Sequence, residues 1–155
     1  MSKYLEQINR ARRYFARFKQ INDGTNHDAS SETYFDDIYT FFTHCYHIKD
    51  YLINDRAYTA HSKQEIENHI TNTPSLALCA DICNGLKHLH LNNPRSGSVP
   101  DVNSGHIHVH FTDSLDGTVS DVKISCKVTI KHNGNELDAF EVATEAMDSW
   151  ELFLA

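Results

Sequence analysis

Apolar residues recur at three- and four-residue spacing through most of the first ninety positions and then switch to strict alternation, so helices come first and strands follow. Residues 3–21 read as a helix with Leu5, Ile8, Phe15, Phe18 and Ile21 inward, stopped by Asn22-Asp23-Gly24. After the polar loop TNHDASS, Ser30 or Ser31 caps a second helix reaching about Asn54. Its broad stripe of Phe35, Ile38, Tyr39, Phe42, Cys45, Tyr46, Leu52 and Ile53 makes it the spine of a bundle. Ser62 and Glu65 form a capping box for a short third helix ending near Thr71. Thr73 as N-cap and Pro74 at the first helical position open a fourth, Thr73 to Leu91, with Leu76, Cys79, Ile82, Cys83 and Leu86 packing on the second.

Residues 92–105, rich in Pro, Gly, Ser and Asn, read as a loop. In HIHVHF, Ile107, Val109 and Phe111 alternate with histidines, and in VKISCKVTI the residues Val122 to Ile130 alternate likewise, predicting two strands. Leu115-Asp116-Gly117 and His132-Asn133-Gly134 are hairpin turns, with a third edge strand at Glu136 to Phe140. Helical spacing returns at Phe140, Ala143, Met147, Trp150 and Leu154. The expectation is one α+β domain over 1–155, mostly α: a helical bundle to residue 91, an antiparallel β-hairpin insert at 106–140, and a closing helix at 141–155.

Composition narrows the functional classes. The 155 residues, 40% of them hydrophobic, include seven Tyr and eight Phe, which fits a folded globule. No apolar run has the length of a membrane span and the start lacks a signal-peptide core, so a cytosolic protein with no membrane partner is expected. Cys45, Cys79, Cys83 and Cys126 form no CxxC pair and read as free buried thiols. The net charge of −7 opposes a general nucleic-acid coat, yet Arg10, Arg12, Arg13, Arg17 and Lys19 crowd the first helix. That cluster reads either as a solvated face with ordinary ion pairs or as an RNA contact surface.

Two polar stripes hold most of the candidate chemistry. His47, Asp50 and Asn54 share a face of the second helix, with His44 beside them, and Asp81, Asn84 and His88 share a face of the fourth. Asn, Asp and the interior Gly85 are poor helix residues, which marks this stretch for attention. Facing each other, the stripes would place two imidazoles and two carboxylates in one cleft, suited to acid–base work or to a divalent metal. Facing water, they would be plain surface or a subunit interface. His106, His108 and His110 share a strand face and are a second place where zinc or nickel could bind, against the alternative of an exposed hairpin face. Phosphate loops, GxSxG, HExxH and dinucleotide fingerprints are missing, and no cofactor is expected.

Asn84-Gly85-Leu86-Lys87-His88 resembles the tail of the RNxxxH form of the Arg-x(4–6)-His motif of the HEPN superfamily, all-helical bundles that include many dimeric ribonucleases. Cys83 stands at the arginine position. The pair THCYHIKDYL and CADICNGLKHLHL is also similar to a group of uncharacterised bacterial proteins with a bundle, a strand insert and a closing helix. The HEPN resemblance implies a homodimer with the polar face at its interface. It also implies a metal-independent ribonuclease; if the two stripes form its cleft, His47 joins it, His88 is the general acid–base, Asn84 positions His88 or the scissile phosphate, Asp81 or Asp50 tunes His88, and Lys87 or Lys49 supplies the missing positive charge. A literal Arg-x4-His also occurs at Arg56 to His61, in what reads as a loop. Two functions therefore stand: a non-catalytic interaction or accessory protein, and the HEPN-like ribonuclease. A divalent-metal-binding protein is the third.

Overall fold

The computed structural model describes residues 2–26, 31–88, 90–113 and 119–155, apart from the side chains of 31, 103–107 and 109–121. Five helices, α1 (Lys3–Asp23), α2 (Ser31–Asn54), α3 (Lys63–Asn72), α4 (Pro74–Lys87) and α5 (Ala139–Leu154), accompany strands β1 (Thr25–Asn26), β2 (Asp101–Asp113), β3 (Val119–His132) and β4 (Asn135–Asp138). The fold is α+β and mostly helical, with an antiparallel hairpin before the closing helix. No helix among the described residues is long and apolar enough to cross a membrane.

α1 packs on α2, α2 on α4, and α5 on α1, α2 and α4, while β3 lies against α1 and α5. Phe18 stands at the junction, its ring 5.4 Å from Phe140 and 6.0 Å from Phe41. Trp150 fills the middle of the bundle and donates its indole N–H to the Cys45 carbonyl at 3.1 Å, so its polar atom is satisfied in the core. Ser62 caps α3 through the full reciprocal capping box with Glu65, and Asp138 caps α5 by accepting from the Phe140 and Glu141 amides. All four cysteines are buried and unpaired. Cys79, wholly enclosed next to Cys45, is held far above the ordinary thiol value by burial.

Several boundaries differ from those expected. α4 stops at Lys87, not Leu91, with His88 already extended, and the chain then doubles back along the helix. α4 is also buried on every side from Ser75 to Cys83, so its single inward stripe was too narrow a reading, and Leu86, placed in that stripe, is exposed. Leu5 is exposed as well. Thr73 precedes α4 without a side-chain cap bond. β2 begins at Asp101, within the stretch read as loop, because pairing of Asp101 with Lys131 and Val102 with Ile130 extends the ladder past an irregularity before Ser104. β1, two residues pairing with Lys123 and Ile124, lies in the expected polar loop and is too short to show alternation.

β2 occupies one edge of β3, leaving β1 and β4 to share the other. β4 starts and ends earlier than the expected Glu136 to Phe140, which lets Ala139 and Phe140 open α5. Asn133 and Gly134 both have positive φ, 51° and 77°, as a tight two-residue hairpin turn requires. The Leu115-Asp116-Gly117 turn and the Ser30 cap lie outside the described residues.

Candidate functional site

The expected cleft forms only in part. His47 of α2 meets α4 at Cys83, its Nε2 lying 3.6 Å from the thiol sulfur. Burial holds that thiol above its ordinary value, with Asp50 acting in the same direction and Thr43, Lys87 and Lys49 against it. The residue at the resembled arginine position is therefore a neutral thiol packed on an imidazole, with Asp50 and Lys87 as charged neighbours.

Asp81 does not face water, which is one of the two readings of its stripe. It is buried, 1% exposed, and its carboxylate accepts from the Arg95 amide at 2.8 Å and from the Ser96 amide and hydroxyl at 2.8 and 2.6 Å. The loop after α4 thus folds back onto the helix, and the carboxylate replaces the water that three donors would otherwise bind. His88, exposed where α4 ends, shares a small pocket of about 230 Å³ with Asp81, Gly85, Leu86, Leu91 and Val99. Among the described residues no hydrogen bond joins His47 to His88. Asn54 returns its amide to the Asp50 carbonyl at 2.7 Å, and Asn84 is half-buried.

Arg95 also reaches Glu67 at 2.8 Å, and Lys49 reaches the same carboxylate at 3.2 Å, so α2, α3 and the loop meet at one acid. Against the cost of burial, these two cations hold Glu67 below its usual value. Lys49, only 14% exposed and poised over the Tyr46 ring, is committed to that network.

The other motifs resolve more simply. His61, between α2 and α3 as expected, bonds the Tyr58 hydroxyl at 2.6 Å and stacks on Phe153, and Arg56 is exposed. His106, His108 and His110 lie in β2 opposite Lys127, Ser125 and Lys123. His108 is exposed, and the side chains of the other two lie outside the description. Among the described residues no group of three His, Cys, Asp or Glu side chains could hold a metal ion.

A different site stands between α1 and α2, where Arg10, Arg13, Tyr14, Arg17 and His44 line a groove of about 320 Å³. Helical spacing sets Arg10, Arg13 and Arg17 at i, i+3 and i+7, successive rises of about 4.5 and 6 Å along one face. Tyr14 lies between them with the Arg17 guanidinium 5.0 Å over its ring and the His44 ring 5.1 Å away. Arg17 pairs with Asp37 at 3.3 Å, whereas Arg10 bonds the neutral Gln7 and Arg13 has no carboxylate partner among the described residues.

Gln7, fully buried, connects the groove wall to its floor. Its Oε1 accepts from Arg10 at 2.9 Å, which identifies Nε2 as the donor to the His44 carbonyl at 2.9 Å and to His44 Nδ1 at 3.3 Å. Nδ1 then carries a lone pair, and the ring proton sits on Nε2. Burial, reinforced by Arg10, His47 and Arg13, holds His44 below its ordinary value and favours this neutral form.

The remaining cations of α1 are engaged elsewhere. Lys3 pairs with Glu6, Lys19 with Asp23, and Arg12 makes a bidentate bridge to Glu151 of α5 at 2.7 Å. The basic cluster therefore divides between the two sequence readings: ordinary ion pairs on one side, an unneutralised groove on the other. Gln7 gave no sequence signal, being one polar residue in a polar helix, and the His44–α1 contact needed the packing of α1 on α2. Comparison with models of protein families, with curated proteins and with solved structures finds no match to this chain.

Proposed function

We propose that the protein is a non-catalytic interaction module that engages an anionic partner through the groove between α1 and α2. The observation that carries this reading is the placement of Arg10 and Arg13, without carboxylate partners among the described residues, beside Arg17 and His44 in a chain of net charge −7. Two guanidinium groups without a carboxylate contact among the described residues forgo the modest energy of a short-range ion pair. They gain a local potential that concentrates anions at one place.

The alternative, a HEPN-like ribonuclease acting through His88, has less behind it. Asp81 is bonded into the Arg95–Ser96 loop, and a protonated thiol stands where the resembled motif has its guanidinium. Phosphate chemistry needs positive charge at the developing oxyanion, and Lys87 is the cation left near Cys83 for that purpose. Self-association belongs to the same proposal: Leu86 and Val99, 53% and 56% exposed, border the His88 pocket as an apolar patch that a second copy of the chain would cover.

Retention on immobilised heparin tests the groove. Wild-type protein should be retained at low salt, and Arg10→Ala/Arg13→Ala should elute at distinctly lower salt, while Arg12→Ala, which removes a cation already bonded to Glu151, should elute near wild type. Equal loss in the Arg12 variant would place the effect in overall charge and sink the assignment.

A further inference from the structure

Resting on the anion-docking reading, we propose that the α1–α2 groove is a receptor for a single phosphate monoester, the group carried by a phosphorylated side chain of a partner protein. Three guanidinium groups face it and one carboxylate, Asp37, offsets Arg17, so the local excess is two positive charges. A phosphate monoester carries about −1.5 to −2 at neutral pH, which matches that excess. Guanidinium forks suit its oxygens, since each can offer two parallel N–H donors.

Geometry favours one phosphate over a nucleic-acid strand. A strand needs a track of free cations, but Lys3, Arg12 and Lys19 are each paired with a carboxylate, so the free charge ends within about two turns of α1. Tyr14, the aromatic in the groove, has Arg17 over its ring and His44 beside it, and so offers no open platform for a base. His44 adds the fourth donor: with Nδ1 accepting from the buried Gln7, its Nε2–H is the ring group available to a phosphate oxygen. Gln7 positions both His44 and Arg10 through one amide, so the receptor is held in place before any ligand arrives.

The test uses the full chain and follows backbone, arginine and imidazole resonances by NMR during titration. The probes are N-acetyl-O-phosphoserine amide, N-acetylserine amide, and an oligouridylate without terminal phosphates. The phosphoserine amide should bind saturably and move the His44 ring signals, Arg13→Ala should weaken it about ten-fold, and the serine amide should do nothing. Arg13 is exposed, so its replacement leaves the core untouched, and an unchanged melting temperature verifies this. Failure of the phosphoserine amide to saturate overturns the proposal. If the oligouridylate then binds in an Arg10- and Arg13-dependent way, the groove still docks anions but follows a nucleic-acid backbone. If neither binds and heparin retention is also insensitive to Arg10 and Arg13, the docking reading falls with it.

Discussion

Ser96 bonds Asp81 twice, with its amide at 2.8 Å and its hydroxyl at 2.6 Å, although the two residues lie on opposite sides of the turn that ends α4. A carboxylate with 1% exposure is tolerable only because the Arg95 and Ser96 amides and the Ser96 hydroxyl meet it together. Asp81→Ala leaves those donors buried without an acceptor, so the unfolding free energy should fall by about 3 kcal/mol. Asp81→Asn, which keeps one acceptor oxygen, should lose less. Amide exchange at Arg95 and Ser96 should accelerate in both variants well before global unfolding. Protection unchanged from wild type would mean that the loop is held by the Arg95–Glu67 pair instead.

A pH dependence follows from the closing helix. Phe153 stacks on His61 at 4.1 Å and on His69 at 4.2 Å, distances at which two imidazoles must occupy opposite faces of the ring. Burial holds His69 below its ordinary value, with the nearby His61 acting the same way and the Ser149 contact opposing it. In the unfolded chain the ring protonates near about pH 6.5, whereas the folded ring takes its proton only at lower pH. Between those values the unfolded state binds more protons, so this contribution is complete above about 6.5 and is lost as pH falls through the window. His44 is shifted in the same direction and adds to the slope. The depressed carboxylates Glu67 and Glu151 act at lower pH, nearer the ordinary glutamate range. Melting temperature should therefore drop between pH 7.5 and 5.5, and His69→Phe should make that drop shallower. An unaltered slope in the variant would reject the assignment.

Self-association gives a separate expectation. Leu86 and Val99 are more than half exposed, so Leu86→Glu should leave stability nearly unchanged. If a second copy covers the patch, sedimentation velocity at high protein concentration should show dimer for wild type and monomer for Leu86→Glu. A monomeric wild type would remove this interface.

Helix positions were legible because caps and turns are local. Ser62 with Glu65, Pro74 and Asn133-Gly134 each announce a boundary through chemistry within four residues, and each lies where the structure has it. The end of α4 was not legible, because it is set by Asp81 accepting from residues 14 and 15 positions later, a contact no periodicity encodes. The same carboxylate shows why a polar helix stripe is ambiguous: the spacing of Asp81, Asn84 and His88 defines a shared face but not what returns to cover it. For the basic cluster, sequence supplied the arginines of α1 and nothing about pairing. Arg12 meets a glutamate 139 positions away and Arg13 meets no carboxylate among the described residues, and only the packing of α5 on α1 separates them.

The ribonuclease alternative can be decided directly. His88 carries an imidazole, the side chain used most often as a general acid–base, and Asn84 lies one helical turn before it. Catalysis would also need a base-orienting group and a cation at the phosphate. Of the candidates, Asp81 is bonded to the loop, Lys49 is tied to Glu67, and Lys87 remains. Purified protein incubated with structured and single-stranded RNA, with and without EDTA, is expected to leave both intact. His88→Ala and Asn84→Ala should then match wild type, and neither should alter stability by more than about 0.5 kcal/mol at these exposed or half-buried positions. Cleavage that survives EDTA and disappears in both variants would reverse the assignment and make the end of α4 an active site. Residual cleavage equal in wild type and variants would identify a contaminating nuclease, since a true product of this site cannot be indifferent to losing its imidazole.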